Sequence, residues 1–287
     1  MKKLKYILAL MTVSILMMGC ERSIDPGDWN ILPEREIEDP QTPGDEEEGI
    51  TFKVMSMNMA LGTNAANFQP MLEYIKEYDP DLLLLRQVDS ATTRANKIDR
   101  PQVVADSMGM YVFFKKNFDY QTGGFGNAVL SRFPIKETYA QILRRAEGST
   151  AELRSMVRIK VEIAEGKELY FAGTELDPNA TNRPLQAIDI INANERLDAP
   201  LILVGNFNEQ ESANLETLSY LKGAFTFACL GTGCPWNAPK DNPNGVYDYI
   251  TFRDKDDVLR VLEYGTFPKS ANTFLPMVAT FKYIDKK

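Results

Sequence analysis

The sequence predicts a layered α/β domain whose buried strands end in polar groups, and three observations predict it. Leu201-Ile202-Leu203-Val204 is an apolar run of strand type that passes straight into Gly205-Asn206-Phe207-Asn208. A continuous run of this kind, bounded by glycine, reads as a strand buried on both faces. The opening of the body alternates strand, helix and strand, and the rest alternates strands with a few helices, which suits two packed sheets covered on their outer faces. At 287 residues, 44% hydrophobic and 25% charged, the chain is long enough for one such domain with a tail.

Residues 1–20 hold Lys2, Lys3 and Lys5, an apolar run from Tyr6 to Met18, and then Gly19-Cys20. A basic start, a stretch too short for a comfortable membrane span and a small residue before the cut make a secretory signal. Leu16-Met17-Met18-Gly19-Cys20 also resembles a bacterial lipobox, in which Cys20 is lipidated and becomes the mature N-terminus. The expected location is therefore the cell envelope, held by a lipid anchor, with the outer membrane as the expected membrane. Residues 21–50 are acidic, carry Pro26, Pro33, Pro40 and Pro43, and read as a flexible tether before a domain at 51–287. The alternative is an acidic docking tail with Trp29-Asn30-Ile31-Leu32 as its contact.

In the body, Phe52 to Asn58 alternates as a strand. Phe68, Met71, Leu72, Ile75 and Tyr78 fall at helical spacing, and Asp79-Pro80 stops that helix. Leu82 to Val88 is a second buried strand. Residues 101–109 read as a short helix and Tyr111 to Lys115 as a strand. Gly123-Gly124-Phe125-Gly126 lets the backbone turn tightly or approach something closely before the next strand. Strands follow at about Glu152 to Ile163 and Glu168 to Thr174, with Gly166-Lys167 as the hairpin turn. Arg183-Pro184 starts a helix through Leu197, with proline where its missing N–H costs nothing. After the Leu201 strand come a helix near Ser212 to Leu221 and strands at Gly245 to Phe252, Val258 to Tyr264 and Pro276 to Tyr283.

The formal charge is −8, of which the signal contributes +3 and residues 21–50 contribute −9, leaving the body near −2. Nothing in that bulk charge draws in nucleic acid. Cys229 and Cys234 form a nearby pair in an exported protein and read as a disulfide around Gly231-Thr232-Gly233. The chain contains no histidine.

Seven motifs then carry a resemblance. They are Ser56-Met57-Asn58, Asp79-Pro80-Asp81 through Gln87-Val88-Asp89, Gly126-Asn127-Ala128-Val129-Leu130-Ser131-Arg132-Phe133-Pro134-Ile135, Glu152-Leu153-Arg154, Thr174-Glu175-Leu176-Asp177, Gly205-Asn206-Phe207-Asn208 and Asp248-Tyr249-Ile250. In this order, over residues 51–284, the chain resembles the endonuclease/exonuclease/phosphatase superfamily, the deoxyribonuclease I-like fold. The resemblance implies a four-layer αββα sandwich, two mixed sheets flanked by helices, with the site at one rim. It also implies metal-assisted hydrolysis of phosphate esters, usually with magnesium. A hard cation wants carboxylate oxygen, and the developing charge wants nearby positive groups.

The sequence departs from that pattern at most of the chemical positions. The family's Gln-Glu is Arg86-Gln87, so the metal carboxylate becomes an amide. The histidine of Thr-His-Leu is Glu175, and the water-orienting aspartate is Asn206. The terminal Ser-Asp-His-x-Pro appears as Asn272-Thr273-Phe274-Leu275-Pro276, which removes an aspartate and the second histidine. Asn58, Arg154, Asn208 and Asp248 remain, Asp248 without the histidine it would support. Losing a positioned acid or base costs about 10²–10⁴ in rate, and losing one electrostatic donor about 10²–10³. An anion such as Glu175 about 4 Å from a phosphate adds roughly 4 kcal/mol at an effective dielectric near 20.

These departures predict a non-catalytic protein without cofactor that binds an unknown ligand or surface partner, such as a glycan, through the old cleft or its rim loops. Gln87, Asn206 and Asn208 would offer a polar neutral site, and Arg154 stays open between a functional role and a salt bridge to a cleft acid such as Glu175. Trp236 and Tyr247 read either as a stacking surface or as packing. The alternative is a metal-dependent phosphoester hydrolase rebuilt around Glu175 and Asp248 with magnesium or calcium, and a third reading is a structural surface lipoprotein.

Overall fold

Leu82-Leu83-Leu84-Leu85 shows how an unbroken apolar run becomes a central strand. Side chains alternate across a pleated strand, so Leu82 and Leu84 enter a core between two sheets while Leu83 and Leu85 enter a second core beneath helices. Leu201 to Val204 divides the same way: Ile202 and Val204 face the inter-sheet core, and Leu201 and Leu203 face a third core under other helices. Three apolar layers between four structural layers follow directly.

The computed structural model describes residues 48–60, 62–210, 216–229 and 233–285. The expected signal, the lipidated Cys20 and residues 21–47 of the tether lie outside the described residues. The strands are β1 (Gly49–Asn58), β2 (Leu82–Ser90), β3 (Tyr111–Tyr120), β4 (Gly123–Ser131), β5 (Ile135–Ile142), β6 (Ser155–Ala164), β7 (Lys167–Glu175), β8 (Leu201–Asn206), β9 (Thr226–Phe227), β10 (Asp248–Arg253), β11 (Leu259–Thr266) and β12 (Met277–Ile284). The helices are α1 (Ala65–Tyr78), α2 (Arg100–Met108), α3 (Arg183–Asn194) and α4 (Glu216–Ala224).

One six-stranded sheet runs β11-β12-β1-β2-β4-β3 and the other β5-β6-β7-β8-β10-β9. Helices α1 and α2 supply Phe68, Met71, Ile75 and Val104 to the core on the first sheet, and α3 and α4 supply Ile190, Leu218 and Leu221 to the core on the second. This is the αββα sandwich with mixed sheets that the sequence predicts.

The differences are local. Strand β1 begins at Gly49, because Gly49 and Ile50 extend the antiparallel ladder with β12. Gly123, Gly124 and Gly126 lie within β4 itself, and a Cβ on Gly126 would sit 2.0 Å from the Lys115 carbonyl oxygen, so close backbone approach, not a turn, requires that glycine. Strand β5 was not foreseen; it is a largely exposed edge strand, without the buried face that would mark it in sequence. Helix α4 is described over Glu216–Ala224; residues 212–215 of the expected helix lie outside the described residues.

The two parallel pairs, β1 with β2 and β7 with β8, set the rim. Asn58 is in register with Arg86, Glu175 with Asn206, and Asn206 with Asp248 of the antiparallel β10. The carboxyl ends of parallel strands are where ligands meet open α/β sheets. Gly205 keeps this end intact: its φ is +150°, and a Cβ there would lie 1.9 Å from the Thr174 carbonyl oxygen of β7. Gly205→Ala should lower unfolding free energy by about 2–4 kcal/mol, read as a shifted urea midpoint at unchanged m.

Candidate functional site

The rim is built around a β-bulge. Between Leu85, paired with Ala128, and Val88, paired with Gly126, two residues of β2 oppose one of β4. Those two are Arg86 and Gln87, and Gln87 takes a left-handed φ of 53°. In a regular strand consecutive side chains point to opposite faces; a bulge re-aims one of them. Here both reach the same carboxylate across the inter-sheet gap. Arg86 Nη1 donates to Glu175 Oε2 at 2.9 Å, and Gln87 Nε2 donates to Glu175 Oε1. Arg154, just before β6, adds Nη1 at 3.4 Å from the same Oε1.

The other end of the guanidinium serves β10. Arg86 Nη2 lies 2.6 Å from Asp248 Oδ1, an ion-pair contact outside hydrogen-bond angles, and Asp248 Oδ2 accepts from Asn237 Nδ2. Asp248, expected to lack a partner once its histidine is gone, therefore has two. Arg86 and Asp248 are each 1% exposed and Glu175 is 3% exposed. Four ionised groups, two of each sign, are thus buried and paired with one another.

The remaining candidates surround this floor as hydrogen-bonded supports. Asn58 Oδ1 accepts from Ala60 N at 2.8 Å, while the Asn272 amide donates to the Asn58 carbonyl. Asn206 Oδ1 accepts from Asn208 N at 2.7 Å, and Asn208 Nδ2 donates to the Leu176 carbonyl at 2.7 Å. Phe274 is half-buried and packs edge-on against Tyr247, centroids 6.0 Å apart. Trp236 is 60% exposed and so is not a packing residue. Cys229 and Cys234 are joined as a disulfide.

Arg86 entered the sequence reading only as a replacement, and Asn237 not at all. A charged residue directly after four buried leucines was the available signal for the first. Asn237 gave none, since its partners Asp248 and Leu275 are distant in sequence.

With the fold and rim in view, kinship can be stated. The Endonuclease/Exonuclease/phosphatase family matches residues 55–270. The chain belongs to this family. No curated protein matches it in sequence. Among solved structures, an endonuclease/exonuclease/phosphatase family protein from Bacteroides thetaiotaomicron is 14% identical with a TM-score of 0.67, covering 83% of this chain and 100% of that one. The mannosyl-6-phosphatase of Bacteroides thetaiotaomicron is 14% identical, TM-score 0.65, covering 80% and 99%. The human Nocturnin catalytic domain, solved with sulfate, is 18% identical, TM-score 0.65, covering 85% and 99%. At these identities the likeness is one of fold.

The residues at this family member's rim do not fit a divalent cation. Glu175 and Asp248 are the carboxylates that a metal would need, and the Arg86 guanidinium already bridges them. To be held by these carboxylates a divalent ion would have to displace the guanidinium from both and leave it buried without a partner. Gln87 supplies an amide whose nitrogen is turned to Glu175. Among the described residues no group of three or more His, Cys, Asp or Glu is arranged to hold a metal.

Removing one partner of a buried ion pair leaves an uncompensated charge. Arg86→Met should therefore cost about 3–5 kcal/mol in a denaturant titration, whereas Gln87→Met should cost less. Burial raises the Asp248 carboxyl from 3.8 to about 6, against the Arg86 charge and the Asn237 hydrogen bond, which lower it. Between those values the folded state holds a proton that the unfolded chain has released. The contribution of this group to stability is thus fully present below the lower value and is lost as pH rises through about 6. Asp248→Asn should flatten that decline, measured as the slope of unfolding free energy against pH across this window.

Proposed function

We propose that this chain is a non-catalytic member of its family, exported and lipid-anchored through Cys20, that binds a ligand or surface partner at the old cleft. One observation carries the reading: the Glu175, Arg86 and Asp248 chain spends the rim's buried carboxylates on a fixed internal cation. Hydrolysis of a phosphoester needs a group free to take a proton from water and positive charge placed for the phosphate. The two carboxylates closest to that task are ion-paired and nearly inaccessible to water, and histidine is absent from the sequence. Both arginines that reach the floor bond inward to Glu175.

The same pairing weighs against a hydrolase rebuilt around Glu175 and Asp248. Solved relatives include a mannosyl-6-phosphatase, but the residues at this rim give such chemistry no base and no metal seat.

The purified protein should release no product above buffer from bis(p-nitrophenyl) phosphate or p-nitrophenyl phosphate with magnesium, manganese or calcium. Metal-dependent turnover that disappears in Glu175→Ala or Asp248→Ala would reverse the reading. The anchor has its own readout: labelled palmitate should be incorporated in cells by the native chain and not by Cys20→Ser.

A further inference from the structure

We propose that the rim around Trp236 is a binding platform for a neutral saccharide. Trp236 has the largest exposed fraction among the large hydrophobic side chains of the described residues. The exposed Trp236 indole offers a ligand a large apolar face. Its backbone is held firmly. Asn237, the next residue, is fully buried; its main chain bonds to Gly245 and Leu275, and its side chain bonds to Asp248 and to the Tyr247 amide. Two residues before Trp236, Cys234 is tied to Cys229. An exposed aromatic on a fixed backbone loses little entropy on binding, which is the condition under which such side chains serve as anchors.

The neighbouring chemistry selects the ligand class. The Asn237 network also holds Tyr247, whose hydroxyl accepts from the Gln210 amide and whose ring meets Phe274. Gln87 and Asn208 are half-buried at the strand ends; their amide nitrogens bond to Glu175 and to the Leu176 carbonyl, which leaves the amide oxygens to accept from a ligand's hydroxyls. Asn237, next to Trp236, bonds to Asp248 of the ion-paired floor, where two positive and two negative charges are paired internally. Aromatic faces, side-chain amides and a floor without net charge suit a molecule with an apolar C–H face and a hydroxyl edge. A phosphorylated or strongly acidic ligand would find Arg86 and Arg154 already committed to Glu175. An apolar peptide would offer the amide oxygens no donor, at the cost of burying unpaired polar groups.

This inference rests on the reading of the cleft as non-hydrolytic, and the two fail separately. Hydrolysis is read as product release from phosphoesters, binding as tryptophan emission. The chain has two tryptophans, Trp29 and Trp236, so Trp29→Phe leaves Trp236 as the sole reporter in the full-length protein. That variant would be titrated with maltohexaose, mannohexaose, chitohexaose and xylohexaose. At least one should give a saturable change in emission, and glucose 6-phosphate should not compete. In the otherwise native chain, Trp236→Ala should weaken binding of the same oligosaccharide about ten-fold by calorimetry, with Trp236→Phe retaining part of it. No response to any of the four would overturn the proposal, as would full affinity in Trp236→Ala. Displacement by glucose 6-phosphate, which would mean that the site reads charge, would overturn it as well.

Discussion

The arrangement of this rim depends on one buried guanidinium. Arg86 grows from the first sheet, and its two acidic partners, Glu175 and Asp248, end and begin strands of the second. Burying three ions is expensive, and their mutual attraction offsets that cost only when geometry and hydrogen bonds are good. The geometry here is supplied by strand register, which sets Glu175, Asn206 and Asp248 side by side. A pair of this kind adds little net stability compared with an apolar replacement, but its loss on one side is severe. It fixes how the two sheets meet at this end, where the apolar core between them gives way to polar groups.

Much of the fold was legible because burial imposes period. The leucines at 82–85 and the apolar residues at 201–204 read as strands covered on both faces, and the helical stretches before, between and after them had to provide the cover. What escaped had no such signature. Strand β5 exposes most of its length, and the glycines of β4 left close approach and a tight turn both open until the carbonyl of Lys115 is seen beside Gly126. The candidate site was legible as a set of residues at the strand ends. Its bonding was not: that Arg86 bridges Glu175 and Asp248 follows from contacts between strands far apart in sequence. Asn237 sits in a loop whose sequence says nothing about the carboxylate it holds.

Charge accounting separates this rim from one built for phosphate chemistry. A phosphoryl site keeps cationic groups facing outward to meet charge as it develops. Here positive charge is present but turned inward, and the half-buried groups named at the strand ends are amides and aromatic rings. At this rim the chain's own carboxylates take up the buried positive charge.

The bulge at Arg86 and Gln87 also reaches beyond the site. In an unbroken pleat, the face of Leu83 and Leu85 would continue at residue 87. Instead Val88 joins Leu83 and Leu85 in the core beneath α1 and α2. The extra residue resets the parity of β2, so that odd positions face the helices before it and even positions after it. Deleting one of the two residues would remove the bulge and leave Val88 on the helix face. Flattening the bulge with both residues kept would instead turn Val88 away from the helices toward the other sheet, so the irregularity that aims the guanidinium is also what keeps the far half of the strand in phase with its own core.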